Sequence, residues 1–521
     1  MGGSIPSSST SLGSVGPCHQ WKNNTHPKWW KDPGLRKNVG WVVTLYLSVF
    51  ALGYDTSLIN GLQALPQWNE YFNHPTGSRL GLIVASLTFP VIVVAPITSW
   101  CVDKFGRKWA ITVGSFVLII GPLISSLAQN EAMLIAGRVI VGASSFFTSL
   151  ACACLVNELL HPRIRGVFSA LFTFTLMVGG IFGSWLTFGT LQWQSSWSWR
   201  LPILLQVIGP VVLFPLSLFC PESPRWLVKN GQREEAHDML AQYHANGDRD
   251  DELVKNELTQ IVSRIEKEER EQTSWKSFVS TPGNRRRTIL VILVSTGPAT
   301  TGLTVVGAYM VPTLQMVGIT SPAQLVGING GFTVAQAIGC MIGAFCTDSL
   351  GRRPMFLIST SAMLVFFSIL TVLLALFSYS PLPSLAIAYV VVLYLFVFAL
   401  NFSWVALAAV YPPEILPFSL RAKGIALGNT IQAICSSFNT FVNPIALEAI
   451  GWKYYTIYIG IIAVYLGLVW AFLIETKGHT MEEIVDEFDG SESQYELEQS
   501  SQDEAFMTCQ QNPSTIKIKA F

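Results

Sequence analysis

The chain has 521 residues, of which 50% are hydrophobic and only 13% charged, and its mean hydropathy is +0.43. A soluble domain carries charge on roughly a quarter of its residues, so this composition belongs in a bilayer. Its 33 basic and 33 acidic residues cancel, which leaves no basic field to draw a nucleic acid.

Residues 1–38 form an N-terminal tail rich in Ser, Gly, Trp and Lys. They lack the basic, apolar and small-residue pattern of a cleaved signal, so the first apolar span is expected to stay as an anchor. A helix needs about 20 apolar residues to cross the hydrocarbon. Such stretches begin near residues 39, 80, 109, 132, 166 and 200, giving a first six-helix half over residues 39–220. Residues 221–288 are polar; Leu253, Leu258, Ile261 and Ile265 recur among charges and predict short amphipathic helices at the membrane surface. Spans from near residues 289, 324, 354, 384, 424 and 453 make a second half over 289–475. The last segment, 476–521, is acidic and rich in Ser and Gln through Glu504, and reads as a disordered tail. The expected fold class is an all-α membrane protein with twelve transmembrane helices.

With both ends on one side, the loops and tails there hold all 33 lysines and arginines except Arg79, Arg200 and Lys453 opposite and Arg138 inside a span. The positive-inside rule makes that side cytoplasmic. The sequon at Asn23 then faces the cytoplasm, where it is not glycosylated. Nine cysteines, at 18, 101, 152, 154, 220, 340, 346, 435 and 509, lack the spacing of a disulfide framework or zinc site and read as small core residues. No metal or organic cofactor is expected.

The two halves repeat one another. Asp103-Lys104-Phe105-Gly106-Arg107-Lys108 after span 2 recurs as Asp348-Ser349-Leu350-Gly351-Arg352-Arg353 after span 8. Glu158 and Arg165 after span 4 recur as Glu414 and Arg421 after span 10, and Glu222 after span 6 recurs as Glu475 after span 12. Offsets of 245, 256 and 253 residues in equivalent loops indicate two pseudo-symmetric halves, as expected where alternating access arises by rocking one half on the other.

Gly53-Tyr54-Asp55, Gly137-Arg138, Trp199-Arg200-Leu201-Pro202, Pro221-Glu222-Ser223-Pro224-Arg225-Trp226-Leu227, Tyr243-His244-Ala245-Asn246-Gly247-Asp248 and Glu475-Thr476-Lys477-Gly478 occur in that order. Through them the chain, from about Gly53 to Phe488, resembles the sugar porter family of the major facilitator superfamily (MFS), specifically its fungal lactose permease-like branch. The resemblance implies a monomeric secondary transporter of the plasma membrane, carrying a mono- or disaccharide with a proton as coupling ion.

Acids and bases grouped at the inner span ends are suited to pairing between the halves and closing the cytoplasmic side. The candidates are Asp103, Arg107, Glu158, Arg165, Glu222 and Arg225 in one half and Asp348, Arg352, Glu414, Arg421 and Glu475 in the other, as in the family's salt-bridge network. Topology alone needs Lys and Arg but not matched acids. Asp55 and Arg138 are the only charges well inside the hydrocarbon, where each costs about 2.5–3.5 kcal/mol at a helix centre. Each is expected to partner the other. An Asp beside an Arg stays ionised and one desolvated away from it takes a proton, which makes a coupling device; the resemblance assigns these positions that role. The alternative is a pair that only fixes helix packing.

Span 11 carries Asn429, Gln432, Ser436, Asn439 and Asn443 on one stripe, neutral amides suited to a hydroxyl-rich ligand or to bonds between helices. The resemblance places Gln336 and Gln432 at family sugar contacts. Tyr309 keeps one of two expected tyrosines. Thr173, Pro298, Ala299, Thr304, Ala308 and Ala409 replace family amides or aromatics, and Trp404 is a candidate replacement platform. These departures keep open a less polar, non-sugar cargo, taken up or exported. A nutrient sensor that binds without transporting also stays open, although the 46 residues after Glu475 are short for one. No span gathers the His, Asp or Cys of a membrane-embedded enzyme.

Overall fold

The computed structural model describes residues 23–26, 28–270, 275–408 and 410–478 with positions 484 and 488; of 267–270, 348, 418, 419 and 422 only the backbone is described. Both tails beyond these limits, Ala409 and the side chain of Asp348 thus lie outside the described residues.

Among the described residues, twelve helices cross the apolar layer. The first six are Pro33–Ala64, Gly77–Phe105, Arg107–Ser126, Glu131–Leu159, Pro162–Thr190 and Trp197–Ser217. The second six are Pro282–Gly307, Pro322–Leu350, Arg352–Tyr379, Pro383–Ala408, Phe418–Ile450 and Tyr454–Phe472. By apolar length alone eleven stretches qualify, because the last two helices merge across the three-residue turn Gly451–Lys453. These are numbered spans 1–12. Proline occupies the first turn of spans 1, 5, 7, 8 and 10, where its missing N–H costs nothing. Asp32, Asn130 and Thr281 cap spans 1, 4 and 7 by accepting from the N–H of Leu35, Met133 and Asn284. Large apolar side chains such as Val93, Phe182, Phe345 and Trp470 stay exposed on the outside of the bundle, as a lipid-facing surface requires.

Among the described residues four spans are interrupted. Span 2 breaks at Ser86–Thr88, span 6 at Gln206–Val207 and span 7 at Thr301–Gly302, and span 10 widens into a π-helix over Asn401–Val405. Irregular backbone at this depth is tolerated only where it is buried in protein or lines a cavity, and these breaks mark where the site lies.

The repeat read from the loops is repeated in three dimensions, at the end carrying the basic loops, here called the basic end. Arg107 pairs with Glu158 (Nε–Oε2, 3.0 Å), and Arg352 pairs with Glu414 (Nη2–Oε1, 2.9 Å). Glu222 accepts from the backbone N–H of Arg107 and Lys108, and Glu475 from those of Arg352 and Arg353. Gly106 and Gly351 have φ of 98° and 92°. A Cβ there would sit 2.4 and 2.7 Å from the carboxylates of Glu222 and Glu475, so glycine is required by both conformation and space.

The polar segment folds into helices Pro224–Lys229, Arg233–His244 and Glu252–Arg270. Its Tyr243–Asp248 motif is a clasp. Asn246 accepts from the N–H of Gly34 and donates to Asp32, tying the loop to the start of span 1. His244 is buried, with Nδ1 2.6 Å from Glu257 Oε2 and Nε2 3.0 Å from the carbonyl of Leu159 at the end of span 4. A carbonyl only accepts, so Nε2 carries a proton, and the carboxylate requires another on Nδ1. Burial opposes that charge, but the charge and hydrogen bond of Glu257 outweigh it and hold His244 above its ordinary value. Burial likewise acts against Glu257, and His244 holds it below the usual carboxylate range. His161, whose ring lies 5.2 Å from that of His244, is pushed down to about 3 by burial and by the His244 charge.

The signs give a window. His244 adds stability below its unfolded value of 6.5 and loses it as pH rises through its higher folded value. Glu257 adds stability above 4.5 and loses it as pH falls through its lower folded value. His161 costs stability below 6.5; burial, the larger cause, persists in the double variant, where the opposing effects of the His244 and Glu257 charges on it are removed together. The thermal melting advantage of wild type over the double variant His244→Leu/Glu257→Leu is therefore expected to be larger at pH 5.5 than at pH 8.5. An advantage that is flat with pH would contradict the ionic clasp. His244→Leu alone, which strands the Glu257 carboxylate, should cost about 3–5 kcal/mol at pH 7.

Candidate functional site

A cavity of about 330 Å³ lies between the halves, at the interruptions of spans 2, 7 and 10. Leu87 and Thr88 of span 2, Thr304 and Ala308 of span 7 and Asn401 and Val405 of span 10 line it. Span 1 contributes Thr56, Ser57 and Asn60, span 8 Thr333 and Gln336, and span 11 Ser436 and Thr440. The polar lining is thus hydroxyls and neutral amides, with the guanidinium of Arg138 as the one charge on the wall.

The halves meet at the end opposite the basic loops. Gln63 Nε2 donates to the carbonyl of Ala308 at 3.0 Å, Thr76 Oγ1 to Glu448 at 3.3 Å and Asn329 Nδ2 to Ser184 at 3.2 Å. Spans 2 and 11 cross at Gly81, where a Cβ would lie 2.8 Å from the carbonyl of Phe441. Spans 5 and 8 meet where Gly330 faces the ring of Trp185. At the basic end, Arg107 pairs with Asp103 and Glu158 inside the first half, and Arg352 with Glu414 inside the second. Asp103 and Glu158 are held by Arg107, and Arg225 stands with them within electrostatic reach of Cys154. Arg165 donates to the carbonyl of Leu160, and Arg421 to that of Leu416. Among the described side chains, Asp103, Arg107, Glu158 and Glu222 thus gather in one half and Arg352, Glu414 and Glu475 in the other, while the halves are hydrogen-bonded to each other at the opposite end.

Asp55 and Arg138 are both buried and border the same small enclosed space, with Ser125 and Gln206. The direct ion pair expected between them is not formed. Asp55 Oδ2 accepts from Ser145 Oγ at 3.0 Å, and Oδ1 has no hydrogen-bond partner. Arg138 Nε donates at 2.8 Å to the carbonyl of Ile83, just before the break in span 2, and Nη2 has no partner. The broken helix supplies an acceptor that lets the arginine stand off from the acid. Arg138 also reaches the main cavity, so it separates that cavity from Asp55.

Of the other expected ligand contacts, Gln336 lines the cavity. Gln432 and Asn429 lie one and two turns from Ser436 on the same face of span 11, toward the basic end, half-buried and exposed respectively. Thr173 is exposed one turn before Leu176 and Met177, which line the wall. Asn439 instead donates to the carbonyl of Ala299, and Asn443 accepts from Tyr454 and Tyr458; this end of the stripe joins helices. Tyr309 is buried behind the wall, its hydroxyl donating to the carbonyl of Thr440. Trp404 is no platform. It is fully buried against Phe356 and Tyr465, and its indole N–H donates to Thr360 at 3.1 Å. Asn60 and Asn401 were missed, although each is an amide inside an apolar span, the same signal that singled out span 11.

The sequence profile of the sugar (and other) transporter family matches residues 41–488. The chain belongs to this family. This sugar porter is 28% identical over 455 residues to High-affinity glucose transporter 1 of Candida albicans, covering 83% of this chain and 82% of that one. It is 29% identical over 458 residues to a high-affinity glucose transporter of Kluyveromyces lactis, covering 84% and 82%. The partially occluded, inward-open xylose transporter XylE from E. coli matches with a TM-score of 0.69 at 19% identity, over 84% of this chain and 100% of that one. The proton:xylose symporter XylE bound to 6-bromo-6-deoxy-D-glucose matches with a TM-score of 0.70 at 21% identity, over 86% and 98%. At such identities the structural likeness establishes the MFS fold. These relatives do not single out the lactose permease-like branch.

The close crossing at Gly81 yields a prediction for the porter. Gly81→Leu cannot keep the crossing with Phe441 and should pry open the end opposite the basic loops. Labelling of Thr56→Cys in the cavity by a membrane-impermeant maleimide applied at that end should accelerate about tenfold, the effect of some 1.4 kcal/mol on the opening equilibrium. An unchanged rate would mean that this crossing does not seal the cavity.

Proposed function

We propose that this sugar porter takes up a neutral mono- or disaccharide together with a proton across the plasma membrane, with its basic end and both termini in the cytoplasm. The observation that carries the reading is the cavity itself: Asn60, Gln336 and Asn401 offer both donors and acceptors, and no carboxylate lines it. Polyhydroxylated ligands are matched by such groups, a cation needs a carboxylate that this wall lacks, and the one charge on the wall, Arg138, is assigned to Asp55 in this reading. The relatives' recorded cargoes, glucose and xylose, agree with this chemistry.

In the proposed cycle, Asp55 is the proton carrier and Arg138 its partner. Beside the guanidinium the carboxylate stays ionised; drawn away into its own enclosed pocket it holds a proton. Because Arg138 also forms part of the cavity wall, the position of its side chain links the sugar site to the acid. The clusters around Arg107 and Arg352 serve as the inner gate. In the outward-facing state they approach one another, and exposed pairs worth about 0–1 kcal/mol each keep that closure reversible.

A less polar cargo is the second reading, favoured by Leu87, Met177, Ala308 and Phe332 on the same wall. Uptake of radiolabelled glucose, xylose, lactose and cellobiose into transport-deficient yeast, at pH 5 and pH 7.5 with and without an uncoupler, separates the two. Uptake of a sugar that the uncoupler abolishes is the expected result; no uptake of any, with normal surface expression, would favour the second.

Asp55→Asn is expected to abolish accumulation against a gradient and the pH dependence of uptake while exchange persists. Accumulation by this variant would overturn the assignment of Asp55. Gln336→Ala should raise KM roughly 5–10-fold, the loss of one hydrogen bond of about 1 kcal/mol, and an unchanged KM would remove Gln336 from the site.

A further inference from the structure

A second cavity, of about 420 Å³, lies beyond the seal, at the end of the molecule opposite the basic loops. Span 1 runs from one chamber into the other. Asn60 lines the central cavity, and Gln63, one turn on along the same helix face, lines the second. Between them stands the bond from Gln63 Nε2 to the carbonyl of Ala308, and Ala308 itself lines the central cavity. This bond is a crossbar between two chambers in series.

The second chamber is built for polar contact. Gln63 is 4% exposed with Oε1 buried and unpartnered, and Trp68 is fully buried with Nε1 unpartnered. A buried polar group without a partner costs about 1–3 kcal/mol, so two on one wall mark a place where a ligand restores what folding removed. One is an acceptor and one a donor, and the hydroxyls of a polyhydroxylated ligand offer the complement of each. Gln315 and Glu448 of the other half complete the wall, with one carboxylate oxygen of Glu448 already taken by Thr76.

We propose that this chamber is an outer binding subsite for a neutral polyhydroxylated ligand, occupied before the crossbar opens. The inference rests on the reading of the chain as a sugar importer with its basic end inside. Its volume and its place outside the seal let it take oligosaccharides longer than the transported sugar.

The test is protection from labelling, which needs no transport. Gln315 is exposed, so Gln315→Cys is open to an impermeant maleimide from outside. Maltotriose outside should slow that labelling at least threefold, equimolar betaine should not, and the half-protecting concentration should rise at least fivefold when Trp68→Phe is added. No protection, or equal protection by betaine, overturns the subsite, as does a half-protecting concentration unmoved by Trp68→Phe in a variant that reaches the membrane. Sugar uptake without protection overturns the subsite alone; protection without uptake of any sugar supports the subsite and counts against the importer.

Discussion

Hydrocarbon does not hold a bare charge, and the bundle is organised around two of them. Arg138 is made tolerable by the break in span 2: the carbonyl of Ile83 accepts its Nε–H, and Leu87 and Thr88 at the same break line the cavity. Asp55 is made tolerable by Ser145 on the helix that also carries Arg138. The charges, the interrupted helices and the cavity are one construction, because irregular backbone, buried charge and polar solute share the need for a space free of lipid.

The rest follows from how unevenly the contacts are distributed. Within each half, ion pairs and carboxylates capping backbone N–H groups lock the basic ends into clusters that repeat with the sequence. Between the halves, at the opposite end, the described residues make two neutral hydrogen bonds, a bond from Thr76 to the exposed Glu448 carboxylate, and close glycine crossings. Strong bonds inside each body and weak ones between bodies are what rigid-body rocking demands. A neutral hydrogen bond contributes about 0.5–1.5 kcal/mol, a quantity that thermal motion and a bound ligand can overcome.

The architecture was legible in the sequence because its determinants are one-dimensional. Span length, loop charge and the repeated Asp-x-x-x-Arg and Glu landmarks follow from bilayer thickness and topology, and the observed spans agree with them. The site was legible only in part. Gln336 was found through the resemblance and lines the cavity, whereas Asn60 and Asn401 carry the same polar-in-apolar signal as the span 11 stripe and were passed over. Trp404 was misjudged because nothing in a sequence says which face of a helix meets its own half; its burial against Phe356 and Tyr465 is a fact of packing. Pairing of Asp55 with Arg138 failed for a related reason. Cost alone demands partners for both, but not the same partner, and Ser145 and the carbonyl of Ile83 are available only once spans 2 and 4 are packed.

The seal over the cavity is neutral for a physical reason. Thr56, Asn60 and Gln63 sit at helical spacing on span 1, so one face runs from the central cavity to the outer chamber, and the amide of Gln63 is the step at which the halves join. An ion pair placed there would be buried when closed and exposed when open. Truncating one partner of a buried pair typically costs 3–5 kcal/mol, a scale of coupling that would hold the two halves shut far more firmly than an amide bonded to a carbonyl. A Gln side chain closes the path with a bond that a passing hydroxyl can replace, which lets the gate be exchanged for the ligand. Charge is instead kept where water reaches it, in the clusters of the basic end and in the exposed Arg79–Glu131 pair and Glu448 of the other, and at Asp55 and Arg138, set apart from one another in this state.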